Sequence, residues 1–133
     1  MELNNFDPSV LEDAVSDVLR SANIAKKVYN NRPRSTTEDL SDFIVCKVTG
    51  SVDDRYALGT CTLSVHLFSR NVQNFKNGKK LSVMQGKVIA AMPRVAAGVF
   101  LISGAARIIG DTDDGNGYHV RIMNYKVTIK ASE

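Results

Sequence analysis

Apolar residues recur at helical spacing at Val10, Leu11, Ala14, Val15, Val18, Leu19 and Ala22, with Glu12, Asp13, Ser16, Asp17 and Arg20 between them. This pattern predicts an amphipathic helix with an apolar stripe toward a core and its charged residues toward solvent. Asp7 followed by Pro8 marks its start: an acid at the N-cap, then a ring whose fixed φ suits the first helical position. The helix is predicted to end near Asn23. Residues 24–29 read as a short strand or a final turn. Residues 30–42, polar and carrying Pro33, Ser35, Thr36 and Thr37, read as an extended loop.

The period then changes to two. Residues 43–52 place Ile44, Cys46 and Val48 on one face. Residues 56–70 alternate Cys61, Leu63, Val65 and Leu67 with Thr60, Thr62, Ser64 and His66. With Asp53 and Asp54 at the turn centre, Cys46 falls opposite Cys61 and Ile44 opposite Leu63, so that the apolar faces of a hairpin coincide. Residues 71–80 form a polar connector. Leu81, Met84, Val88 and Ala91 mark a second helix of about four turns that stops before Pro93. Gly86 inside it reads as a weak point or as a site of close packing on the sheet. Residues 99–109 read as a strand apolar on both sides and covered on both. Residues 111–117 are turn formers. Residues 118–130 form a last strand, whose apolar parity shifts between Val120, Ile122 and Tyr125, Val127, Ile129. That shift predicts a bulge near Met123 and Asn124.

These elements predict one α+β domain over residues 1–133. Its core is a four-stranded, mainly antiparallel sheet in β-β-α-β-β order, with the N-terminal helix and the second helix packed on it. Residues 1–6 read as an N-terminal arm. The 133 residues suffice for one core, and 44% hydrophobic with 23% charged residues is ordinary globular composition. No apolar run approaches the roughly 20 residues of a membrane span, and the N-terminus has no secretory pattern. The net charge of +3 does not by itself imply nucleic-acid binding.

Candidate chemistry is sparse. Asp111, Asp113, Asp114 and Asn116 resemble a calcium loop in composition, but Gly115 breaks the alternation and no later glutamate follows. They read as a hairpin turn. His66 alternates with hydroxyl residues and His119 opens the last strand; neither has a nucleophile in a recognisable turn nearby. Cys46 and Cys61 lack metal-ligand spacing and read as reduced, buried thiols. No catalytic residue, cofactor or metal is therefore expected. Lys76, Lys79 and Lys80 cluster before the second helix, and Arg107, Arg121, Lys126 and Lys130 lie on strands. They read as a solvated face with acidic neighbours or as a DNA-facing surface, without the interleaved aromatics of single-strand readers.

The order of elements resembles the tail-terminator and tail-completion (head–tail joining, neck) proteins of tailed bacteriophages. The likeness rests on the helix over 10–22, the segment from Val28 and Tyr29 to Pro33, the strand at Asp42, Phe43, Ile44 and Val45, and the strand end Phe68, Ser69, Arg70. It implies a non-enzymatic virion protein assembled in the bacterial host cytoplasm. Such proteins form rings, of six or twelve copies, that meet neighbouring neck, portal or connector, and tail-tube proteins. DNA is present only as the content of the channel, and no membrane is involved. A small nucleic-acid-binding or regulatory α+β module is the alternative from the residues alone.

Overall fold

In chain order the elements are α1 (Pro8–Ser21), β1 (Lys27–Asn30), β2 (Phe43–Thr49), β3 (Leu58–Arg70), α2 (Gly78–Ala91), β4 (Val95–Ala96), β5 (Phe100–Asp113) and β6 (Tyr118–Lys130). This is a computed structural model, and it describes residues 8–25, 27–30, 42–49, 58–73, 75–96, 100–115 and 117–130. The predicted arm over 1–6 and most of the predicted loop over 30–42 lie outside the described residues.

The sheet has six strands rather than four, in the order β1-β2-β3-β6-β5-β4, and it is mixed. β1 runs parallel to β2, and every other pair is antiparallel. The four strands with readable alternation make up its centre. β1 overlaps residues 24–29, read as a short strand or a final turn, and β4 has two residues, too few for a period of two to register. The dozen or so positions between β1 and β2 match the length a parallel crossover needs.

In the first hairpin, Ile44 stands opposite Leu67, Cys46 opposite Val65 and Val48 opposite Leu63. The apolar faces coincide as predicted, but the register is displaced four residues along β3, and Cys46 does not face Cys61. Alternation fixes a position only modulo two, so it settles the face and leaves the partner open. β3 and β6 pair without interruption from Leu58 opposite Lys130 to Arg70 opposite Tyr118, so the bulge predicted near Met123 and Asn124 is absent. The irregularities lie on β5 instead, between Ile102 and Ala106 and between Ile109 and Thr112. The mixed parity of β6 has another cause: Met123, Tyr125 and Val127 are buried on the helix side, while Tyr118 is buried on the opposite face against Phe43.

Both helices pack on one face. Leu11, Val15 and Leu19 of α1 and Leu81, Met84 and Val88 of α2 are fully buried with Ile44, Cys46, Leu63, Val65 and Leu67. Each such side chain contributes about 1.5–3 kcal/mol of transfer free energy. α1 is turned from its predicted orientation. Glu12 and Ser16, expected to face solvent, are buried, and Val10 of the apolar stripe is exposed. The helix closes near the predicted place, with Asn23 in the left-handed region at φ 54. α2 starts earlier than its apolar spacing suggests. Asn77 Oδ1 accepts from the Lys80 N–H at 3.1 Å, which draws residues 78–80 into the first turn.

Candidate assembly surface

Helices cover one face of the sheet, and no described element covers the other. The strand registers order that open face into rows. At one end Phe43 stacks on Phe68 with ring centroids 4.3 Å apart, and meets Tyr29 and Tyr118 edge-on. The next row is Val45, His66, Ile122 and Ile109. Beyond it lie Lys47, Ser64, Asn124 and Arg107, then Thr49, Thr62 and Lys126. Ser64 Oγ donates to Asn124 Oδ1 at 2.6 Å. Burial, and then the charge of Lys47, hold the His66 pKa below the ordinary imidazole value. The face thus changes from aromatic and aliphatic at one end to hydroxylic and basic at the other.

The β5–β6 hairpin forms a second surface. Only Phe100 and Leu101 of β5 pair with β4, and the Ile102 N–H donates to the Arg94 carbonyl at 2.8 Å. Past that point no described strand pairs with the outer edge of β5. Ile108 and Ile109 there are 40% and 41% exposed. The strand was expected to be covered on both faces; instead its distal half is open, and its two register shifts are the twist-inducing defects usual at sheet edges.

A charged clamp holds this hairpin to α2. Arg121 reaches Asp111 with two bonds, Nε to Oδ1 at 2.6 Å and Nη2 to Oδ2 at 2.8 Å. Its Nη1 donates to Gln85 Oε1 at 3.0 Å and Ser82 Oγ at 3.2 Å, and Lys76 Nζ lies 3.1 Å from Asp111 Oδ2. The Arg121 bonds, more than Lys76, keep the Asp111 carboxyl below the ordinary aspartate range despite its burial.

The residues singled out in the sequence separate accordingly. Asp111 and Asp113 lie in β5, not in a loop. Asp113 accepts from Gly115 N–H and Asp114 from Tyr118 N–H, so these carboxylates serve the turn backbone, where Gly115 and Gly117 adopt positive φ. Among the described residues no group of three or more His, Cys, Asp or Glu is placed to hold a metal ion. His119 Nδ1 pairs with Asn71 Oδ1 at 2.6 Å, far from His66 in the sheet. Of the basic residues, Lys76 and Arg121 are spent on Asp111, and Lys80 lies 3.9 Å from Asp42. Lys47, not among the sequence candidates, joins Arg107 and Lys126 on the open face; its position in the alternation of β2 was the available signal.

A cleft of about 910 Å³ lies where α1 ends and α2 begins, lined by Arg20, Asp42, Arg70, Asn71, Asn77 and Lys80 together with the apolar Ile24, Ala25 and Val72. Arg20 there binds Asp17 and the Val28 carbonyl, and Asp42 accepts from the Arg70 N–H. Neither described helix is long and apolar enough to cross a membrane.

No protein-family description matches the sequence, and no curated protein sequence does. Solved structures do match. One chain superposes with a TM-score of 0.63 at 10% identity, over 93% of each chain. A chain from the virion of a native gene transfer agent particle superposes with a TM-score of 0.59 at 13% identity, over 92% of this chain and 96% of that one. At these identities the likeness is one of fold.

Proposed function

We propose that the chain is a virion structural subunit, one that closes into a ring at the neck or tail terminus of a phage-like particle and joins head to tail without catalysing a reaction. The observation that carries this reading is the end-to-end superposition on a chain of a gene transfer agent virion, at 92% and 96% coverage. A ring built from one heterologous contact needs two different complementary patches on each subunit. The chain offers Ile108 and Ile109 on the open edge of β5, and Val83 and Ile89 on the outer side of α2, all at least 40% exposed. The clamp from Arg121 through Asp111 to Lys76 ties this hairpin to the entry of α2. Neighbouring neck, portal or connector, and tail-tube proteins would be its partners, in the virion and during assembly in the host cytoplasm.

Sedimentation velocity over a range of concentrations, with electron microscopy of the chain alone and of the particle that carries it, tests the reading. Closed rings in solution or at one end of a tail are the expected result. A chain that stays monomeric alone and in its particle overturns it.

A further inference from the structure

The basic end of the open sheet face has a composition that the ring reading does not use. Lys47, Arg107 and Lys126 are all exposed there, on three different strands. Between them lie Ser64, Asn124 and Thr62, which are hydrogen-bonding side chains without charge. Among the described residues no carboxylate shares this end of the face, and none of the three cations forms an ion pair. The described acids of the hairpin are engaged elsewhere: Asp111 on Arg121 toward α2, and Asp113 on the turn. Three strand spacings separate Lys47 from Arg107, about 14 Å. Leu101, Ser103, Lys126 and Thr128 add a shallow depression of about 280 Å³ beside them.

Exposed cations with no described carboxylate among them suit a polyanion of regularly spaced phosphates. A single strand would need exposed rings on which bases stack. The described aromatic residues of this face sit at its other end, where Phe43 and Tyr118 are buried and Phe68 is stacked on Phe43. We therefore propose that Lys47, Arg107 and Lys126 bind the phosphate backbone of double-stranded DNA, without reading its sequence. The proposal goes beyond the ring reading and does not depend on it. A ring would multiply the contacts, but each face carries its own.

The test is fluorescence anisotropy of a labelled duplex of about 30 base pairs with the full-length chain, at salt between about 50 and 200 mM. Three phosphate contacts give a log–log salt slope of about −2.7, or about a 40-fold loss of affinity across that range. The Lys47→Gln/Lys126→Gln variant should bind about 10-fold or more weakly at the lower salt, its slope shallower by about 1.8. The charge-matched Lys79→Gln/Lys87→Gln variant, altered on exposed positions of α2, should bind as the parent does, and circular dichroism verifies the fold of both. No binding by the parent at the lower salt overturns the proposal, as does an equal loss in the α2 variant. A single strand of the same length bound as tightly as the duplex overturns the duplex assignment. Sedimentation of the same samples reports the ring independently, so either reading can fail alone.

Discussion

The carboxylate of Glu12, on α1, accepts a hydrogen bond from the backbone N–H of Val48, on β2, at 2.8 Å. β1 pairs with β2 only as far as Asn30 opposite Cys46, so the N–H of Val48 lies past the end of its neighbouring strand. A buried acid from the helix takes the place of the missing strand. Replacing Glu12 with Ala leaves that N–H unpaired in a site where the residue is 6% exposed, and should cost about 1–3 kcal/mol. Glu12→Gln keeps an acceptor of the same reach and should lose less. Urea unfolding of the three proteins measures both; an Ala variant as stable as the parent would show that the bond contributes nothing.

This bond also marks where the sequence stopped being readable. The 3.6-residue spacing from Leu11 to Leu19 identified the helix, and polarity assigned Glu12 and Ser16 to solvent. A helical stripe states which residues are apolar, not how far the helix rolls to satisfy a strand end. Likewise the alternation of Leu63, Val65 and Leu67 identified β3 and its buried face, while the register depended on a loop length that no local pattern encodes. Arg121 follows the same logic. It lies on the helix side, in the row of the buried Leu67, and is itself half-buried, a place that a charged residue occupies only with partners. Those partners, Asp111, Gln85 and Ser82, are brought to it by the bulges of β5 and by the start of α2. The phage likeness read from element order and the gene transfer agent likeness read from the fold both concern architecture. At 13% identity, the residues that would form an interface are not legible from either.

The clamp should show in the pH dependence of stability. Arg121, and less strongly Lys76, lower the folded-state pKa of Asp111 beneath its ordinary 3.8. The folded state therefore binds the proton less readily than the unfolded state. The stabilisation is complete above the unfolded value and is lost as pH falls through the folded value. Unfolding measured from pH 7 to pH 2.5 should show this loss below about pH 4 in the parent. Asp111→Asn should be less stable at pH 7 by about 1–3 kcal/mol, with a flatter acid limb. Parallel profiles for the two proteins would remove Asp111 from the acid transition.

Gly86 offers a change in the opposite direction. A Cβ built on it meets nothing within 4 Å, and its φ is not positive. Of the two readings the sequence left open, close packing on the sheet does not hold, and only the conformational cost of glycine within a helix remains. Gly86→Ala should raise stability by about 0.5–1 kcal/mol, with an increased melting temperature. A neutral or destabilising outcome would mean that the exposed side of α2 is engaged in the sample studied.

Cys46 and Cys61 are free and buried, and burial pushes both thiols up to about 11. Cys61 lies four residues along β3 from Val65, the partner of Cys46, about 13 Å and too far for a disulfide. At pH 8 both should therefore be protonated and unreactive toward a thiol-specific disulfide reagent in the native protein. Two equivalents should react on denaturation, without prior reduction. Rapid native titration, or fewer than two thiols after denaturation, contradicts the register.

The hairpin edge decides the assembly reading at residue level. Ile108 and Ile109 are about 40% exposed on opposite faces of β5, beyond the reach of β4. Replacing both with Ser removes apolar surface that is already partly solvated, so the monomer should lose about 2–4 kcal/mol for the pair, less than for two fully buried side chains. A subunit contact formed around this pair would lose a packed apolar centre and expose hydroxyls to it, which weakens association far more than folding. Ile108→Ser/Ile109→Ser should therefore keep the parent's circular dichroism at a lower melting temperature and fail to form rings at concentrations where the parent does. Val10→Ser, altering an equally exposed residue on α1, should assemble normally. Ring formation by the double variant would exclude the β5 edge from the subunit contact and direct attention to the outer side of α2.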